Sequence, residues 1–178
     1  MKKEWTQLWL DYSAKSGDIN NGLVKTISIT GFDITNRVIK SAVEELQNGI
    51  SKMLGVSPSV SSDTEGGIVI QKDTSVKAEG YRLNGSAQGV GLFASNEKGV
   101  LYGAFHILRM IAMEESLADL DTICEPDNPL RMFNHWDNMD NSIERGYSGE
   151  SFFFENGKII ISDRIRDYAR LLASIGIN

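Results

Sequence analysis

Cysteine is nearly missing from these 178 residues, where Cys124 stands alone. One thiol cannot close an intramolecular disulfide, and it offers no Cys pair for a structural zinc or a redox couple. Histidine is almost as scarce, with only His106 and His135, so a histidine-built metal centre lacks ligands and no cofactor is expected. No apolar run approaches the roughly 18–20 residues that a membrane-spanning helix needs. The opening Met1-Lys2-Lys3-Glu4 is not followed by the apolar stretch of a secretory leader, so the expected location is the cytoplasm. Positive charge is also short. Lys and Arg number 18 against 24 Asp and Glu, a net charge of −6, and the basic residues form no cluster. Neither a nucleic-acid backbone nor a membrane surface is therefore an expected partner.

What is present is a small α/β pattern. The segment from Glu4 to Tyr12, rich in Trp and Leu, reads as an edge strand or a docked extended segment. Leu23 to Thr30 alternates and is β-branched, which predicts a strand. From Asn36 to Leu54, the stripe Val38, Ile39, Ala42, Val43, Leu46, Ile50 and Met53 predicts a helix, with Thr35 as its N-cap and Gly55 and Pro58 ending it. Gly49 inside that helix weakens it by about 1 kcal/mol relative to alanine. A polar loop, Ser59 to Gly67, leads to a short buried strand at Ile68–Gln71. Gly80–Asn84 and Gly89–Ser95 flank Asn84-Gly85-Ser86 and read as a hairpin. A second helix runs from Glu97 to about Met113, capped by Ser95 or Asn96. The order β-α-β-β-β-α implies an α/β (α+β) fold, a mixed sheet with helices covering one face.

Asp121–Glu125 reads as a strand leading out of this domain, and Glu125-Pro126-Asp127-Asn128-Pro129 is the boundary signal, because helix cannot run through it. The expected domains are 1–127 and 128–178. In the second, Leu130–Trp136 reads as a strand, Asn156-Gly157 as a turn, and Asp163 to about Ser174 as a helix that exits toward a further strand. That is one βα unit, which cannot cover both of its apolar faces. It should be poorly ordered, or buried by self-association.

Arg131 to Gly149 mixes aromatics (Phe133, His135, Trp136, Tyr147) with polar groups able to grip hydroxyls: Asn134, Asp137, Asn138, Asp140, Glu144 and Arg145. Trp136 offers an apolar face to sugar C–H groups, Asp137, Asn138, Glu144 and Arg145 offer hydrogen bonds, and Arg145 suits a carboxylate. The competing reading is a strand whose Trp packs inside while Glu144 and Arg145 pair with each other. Gly89-Val90-Gly91-Leu92-Phe93-Ala94 matches a dinucleotide fingerprint, yet its glycines sit within the strand instead of opening a helix. His106 borders an apolar stripe and reads as a surface or packed residue.

The blocks Leu130-Arg131-Met132-Phe133-Asn134-His135-Trp136-Asp137-Asn138, Ile143-Glu144-Arg145-Gly146-Tyr147-Ser148-Gly149 and Asp163 to Asn178 resemble the α-glucuronidases of glycoside hydrolase family 67, where the catalytic (β/α)₈ barrel begins. Glu79–Leu83 and Lys98–Arg109 resemble that family's N-terminal α/β domain, which is similar in outline to that of β-hexosaminidases. The resemblance implies an inverting glycosidase that removes (4-O-methyl)glucuronic acid from xylo-oligosaccharides. It implies a sugar-binding role for His135, Trp136, Asp137, Asn138, Glu144 and Arg145. It places the acid and base carboxylates beyond Asn178, so this chain alone is expected to be inactive. Inverting enzymes hold those carboxyls about 6.5–9.5 Å apart, and sequence spacing cannot assign that geometry to Asp137, Asp140 or Glu144. The chain departs from the family pattern at Asn141, where glycine is usual after the aspartate; asparagine tolerates the left-handed conformation such a turn needs. The alternative reading is a non-catalytic module whose sheet binds a carbohydrate or protein partner.

Overall fold

The computed structural model describes residues 10–16, 20–61 and 66–178. Most of the expected N-terminal strand, and the middle of the expected 59–67 loop, lie outside the described residues. The chain divides into two compact units. One is Tyr12–Pro129; the other comprises Leu130–Asn178 with the described residues 10 and 11.

The first unit is a six-stranded sheet with two helices. In chain order it has β1 (Thr26–Thr30), α1 (Arg37–Leu54), β2 (Ser59–Ser61), β3 (Gly67–Lys72), β4 (Tyr81–Ser86), β5 (Gly89–Ala94), α2 (Glu97–Ala112) and β6 (Asp121–Cys124). The strand order is β2-β1-β3-β5-β4-β6. β2, β1, β3 and β5 run parallel, while β4 pairs antiparallel with β5 and β6, so the sheet is mixed. Register places Ile70, Leu92 and Leu83 in one cross-strand row, and all three are fully buried. Successive strand residues alternate between faces, so Ile27, Ile68 and Val90 form a second row on the same, helix-facing side of the sheet.

Both helices earn their position by an apolar stripe. α1 buries Ile39, Leu46, Ile50 and Met53, and α2 buries Val100, Phe105, Leu108 and Ile111. Each such side chain withdrawn from water contributes about 1.5–3 kcal/mol. The helices pack on each other, and the approach is close. A Cβ on Gly49 would lie 2.6 Å from Leu108 Cδ2, and one on Gly103 would lie 2.2 Å from Leu92 Cδ1. The glycine that weakens α1 as an isolated helix is therefore the point where α2 enters.

Four local expectations are corrected. The N-cap of α1 is Asn36, whose Oδ1 accepts from the Val38 amide at 2.8 Å; the Thr35 hydroxyl is instead taken by the Asp33 carboxylate at 2.8 Å. Ser59–Ser61 is a parallel edge strand where a loop was expected, paired with β1. The β4–β5 turn falls at Ala87-Gln88, and Asn84 and Gly85 lie within β4. Gly85 is needed there because a Cβ would stand 2.0 Å from the Leu117 carbonyl oxygen. Finally, Leu130–Trp136 is extended but makes no strand ladder among the described residues. Asn96 caps α2 through the Gly99 amide at 3.0 Å. Gly89 and Gly91 lie inside β5, and α2 starts only after Asn96, so the fingerprint lacks its strand–loop–helix setting.

The second unit holds a two-stranded hairpin, β7 (Phe154–Glu155) and β8 (Lys158–Ile159), and a helix, α3 (Asp163–Ser174). Asn156 and Gly157 both have positive φ (51° and 73°), the conformation that a tight two-residue hairpin turn requires. α3 is capped by Ser162 and is amphipathic, yet none of its residues is buried. Leu130, Met132, Phe133, Met139, Ile159, Ile161 and Ile175 are all exposed. The apolar faces of this unit are open among the described residues.

Candidate functional site

The second unit is organised by its first and last residues. Arg131 N donates to Asn178 Oδ1, and Arg131 O accepts from Asn178 N, both at 2.9 Å. Arg131 Nε also donates to Gly176 O at 2.6 Å. The extended segment thus leaves, passes through α3 and returns beside its own start. That is the connection a pair of parallel strands needs.

At the far end of the extended segment the chain folds into a tight loop. Asp137 bridges Ile143 in antiparallel fashion, and Glu144 N donates to Trp136 O at 2.7 Å. Asp140 accepts from both the hydroxyl (2.6 Å) and the amide (3.0 Å) of Ser142. Those two bonds hold its carboxyl below the usual carboxylate range, so it stays ionised and serves the turn. Asn138 Nδ2 donates to Ser142 Oγ (3.0 Å) and to Glu144 O (2.8 Å). Asn141 takes φ +77°, the left-handed conformation expected of it. In the amide orientation that satisfies its neighbours, its nitrogen also donates to the carbonyls of Ser151 and Phe154, each at 2.7 Å. Glu144 has φ +57°, an uncommon conformation for glutamate.

This loop and the strand end enclose an open hollow of about 470 Å³ lined by Asn134, His135, Trp136, Asp137, Ile143, Glu144 and Phe152. Four of the six sequence-derived candidates, His135, Trp136, Asp137 and Glu144, meet there. Trp136 is 59% exposed. The indole fills no core among the described residues. The Glu144 carboxylate accepts from Ser148 Oγ at 3.1 Å and from the Tyr147 hydroxyl, which raises the Tyr147 pKa. Arg145 does not pair with Glu144; it is exposed, outside the hollow and without a partner among the described residues. Asn138 is also off the hollow, both its amide hydrogens being used within the loop.

Behind the hollow lies an aromatic cluster that composition alone did not reveal. His135 packs edge-on to Phe153 (4.9 Å between centroids) and Tyr168 (5.5 Å). Phe152 packs on Phe153 at 4.4 Å, and Arg164 stands over Phe152 at 4.6 Å. Tyr168 reads in the sequence as one more member of the α3 stripe. Its distance of 33 residues from His135 hides the contact.

The arrangement combines an exposed aromatic face with carboxylate acceptors in an open hollow of single-ring to two-ring size. It suits a polyhydroxylated ligand. No group of three potential metal ligands occurs among the described residues. In the first unit, His106 Nδ1 lies 3.0 Å from the Tyr81 hydroxyl, and burial lowers the His106 pKa, so it is a packed residue.

Comparison with known families accounts for nearly the whole chain. The glycosyl hydrolase family 67 N-terminus model matches residues 8–107, and the family 67 middle-domain model matches 110–178. The chain belongs to glycoside hydrolase family 67. Among its relatives, a probable α-glucuronidase A of Neosartorya fischeri is 34% identical over 96% of this chain and 22% of its own length. An α-glucuronidase A of Aspergillus tubingensis is 42% identical over 56% of this chain and 12% of its own length. The chain therefore spans about a fifth of the length of the first of these relatives. A solved family GH115 4-O-methyl-α-glucuronidase, described as specific for decorated arabinogalactans, superposes with a TM-score of 0.61. It covers 87% of this chain and 24% of that one at 15% identity, a likeness of fold.

Proposed function

We propose that this chain is the N-terminal part of an inverting xylan α-1,2-glucuronidase that removes (4-O-methyl)glucuronic acid from xylo-oligosaccharides. Residues 1–127 form the α/β accessory domain and 128–178 the first βα unit of a (β/α)₈ catalytic barrel. The protein acts in the cytoplasm. The observation that carries the reading is the hollow at the end of the extended segment, where the exposed Trp136 meets His135, Asp137 and Glu144. Active sites of such barrels sit at the C-terminal ends of the strands, and these residues follow the extended segment on that side. Trp136 serves as the platform for a sugar ring, Asp137 and Glu144 accept from hydroxyls, and Arg145, which has no partner among the described residues, is available to the uronate carboxylate. Asn138 contributes by bracing the loop.

The acid and base are not among these residues. Asp140 is committed to its turn, and Glu144 is bonded to Ser148 and Tyr147. The isolated chain accordingly binds substrate without hydrolysing it. Its exposed apolar faces associate with further barrel units, or with a second copy when those are lacking. The test is incubation of the purified chain with aldotriouronic acid, a glucuronic acid on xylobiose. Binding without product is the expected result, and reproducible release of glucuronic acid would show that the catalytic carboxylates had been misplaced.

A further inference from the structure

We propose that Tyr168, outside the Arg131–Gly149 block, is the positioning residue of this sugar wall, acting on Trp136 through His135 and Asp137. The inference rests on the reading of Trp136 as a sugar platform. His135 and Asp137 flank Trp136 in the lining of the hollow, and fixing both holds the stretch of backbone that carries it. The contacts form a chain of one hydrogen bond and one longer approach to a charge. The Tyr168 hydroxyl lies 3.0 Å from His135 Nε2, and His135 Nδ1 lies 3.7 Å from Asp137 Oδ2. The Asp137 side chain is only 9% exposed. Phe153 and Tyr168 pack against the imidazole edge-on, and Phe152 packs on Tyr168 at 5.5 Å, so the ring is confined on several sides.

This geometry also selects a tautomer. The Asp137 carboxylate beside Nδ1 favours the ring proton there. Nε2 is then left as an acceptor, and the Tyr168 hydroxyl donates to it. His135 is thereby held as the Nδ1–H form, the less populated form of a free neutral imidazole. The hydroxyl of Tyr168 fixes the ring orientation and reinforces the proton position that Asp137 favours, as the groups behind a metal-bound histidine do elsewhere. A tyrosine that merely filled space behind the hollow would set neither.

The experiment compares the full chain with its Tyr168→Phe variant, which keeps the ring and removes only the hydroxyl. Imidazole 15N shifts at a pH where His135 is neutral read the tautomer. Titration with aldotriouronic acid, followed by the Trp136 indole signal, reads binding. Backbone amide spectra of α3 show that the variant is folded. The expected result is Nδ1–H in the parent chain, a weaker Nδ1–H preference in the variant, where Asp137 alone favours it, and binding about fivefold weaker, as removal of one hydrogen bond predicts. An Nε2–H form in the parent, or an unchanged tautomer preference or affinity in the variant, overturns the role of Tyr168. A parent chain that shows the Nδ1–H form yet binds no sugar overturns the site reading instead, and with it the service Tyr168 performs.

Discussion

Replacing Gly49 with alanine sets two effects of opposite sign against each other. Helix propensity favours the change by about 1 kcal/mol, because alanine loses less backbone freedom than glycine. Packing opposes it. The new Cβ would lie 2.6 Å from Leu108 Cδ2 and 3.2 Å from Cδ1. Those atoms are the end of a flexible side chain, but Leu108 is 1% exposed, and turning it presses on a close-packed interior. Overpacking of this kind costs about 1–3 kcal/mol. The net expectation is a loss of about 1 kcal/mol, opposite in sign to what the helix alone predicts. A double-mutant cycle isolates the cause. Leu108→Ala by itself should cost about 2–5 kcal/mol through the cavity it leaves. In that background, Gly49→Ala should become stabilising, because its methyl group enters the vacated space. Hydrogen exchange of the α1 and β5 amides reports the stability of this unit without assuming that the whole chain unfolds at once. A gain of about 1 kcal/mol for Gly49→Ala with Leu108 intact would refute the packing argument.

Three further outcomes follow from the same geometry. Gly85→Ala should destabilise the first unit by about 3 kcal/mol and displace the 117–120 segment, because its Cβ would meet backbone atoms of Leu117 and Ala118 that cannot rotate away; chemical denaturation of the variant measures this. Asn141→Gly should cost about 1 kcal/mol, although glycine takes positive φ more readily, since the two carbonyl bonds of the amide are lost; faster exchange of the Ser142 and Ser151 amides would show it. The Asp73 carboxyl is lowered from 3.8 to about 2 by the Ser75 hydroxyl and amide, and then by Arg82. A depressed carboxylate stabilises the folded state above its unfolded pKa and loses that contribution as pH falls through the folded one. The stability difference between the parent and Asp73→Asn should therefore be full near neutral pH, shrink below 3.8 and vanish toward 2, a trend that urea titrations at several pH values can follow.

The helices and central strands were legible because burial writes a period into the sequence. The stripe from Ile39 to Met53 could only be one face of a helix, and β3 and β5 are apolar runs buried between neighbours. The features that were not legible depend on neighbours distant in sequence. β2 has no alternating pattern to betray it, since it is a three-residue edge strand with Ser59 and Val60 exposed. Asn84-Gly85 carries the signature of a hairpin turn, but Gly85 serves a close approach by Leu117 instead. Thr35 lost the cap to Asn36 because Asp33 claimed its hydroxyl. Leu130–Trp136 has the composition of a strand, but it makes no ladder among the described residues. In the hollow, the aromatic and acidic residues of one block could be named from sequence. That Asn138 faces into its own loop, and that Tyr168 stands behind His135, could not.

Isotope-edited NMR of the Trp136 indole during titration with aldotriouronic acid tests the central claim, that this segment is a wall of a sugar site whose acid and base lie elsewhere. The expected result is a saturable shift of that indole, with companion shifts at Asp137 and Glu144, abolished by Trp136→Ala and unaccompanied by free glucuronic acid. An indole that does not respond at saturating sugar, or a response that survives Trp136→Ala at Asp137 and Glu144 unchanged, would contradict it.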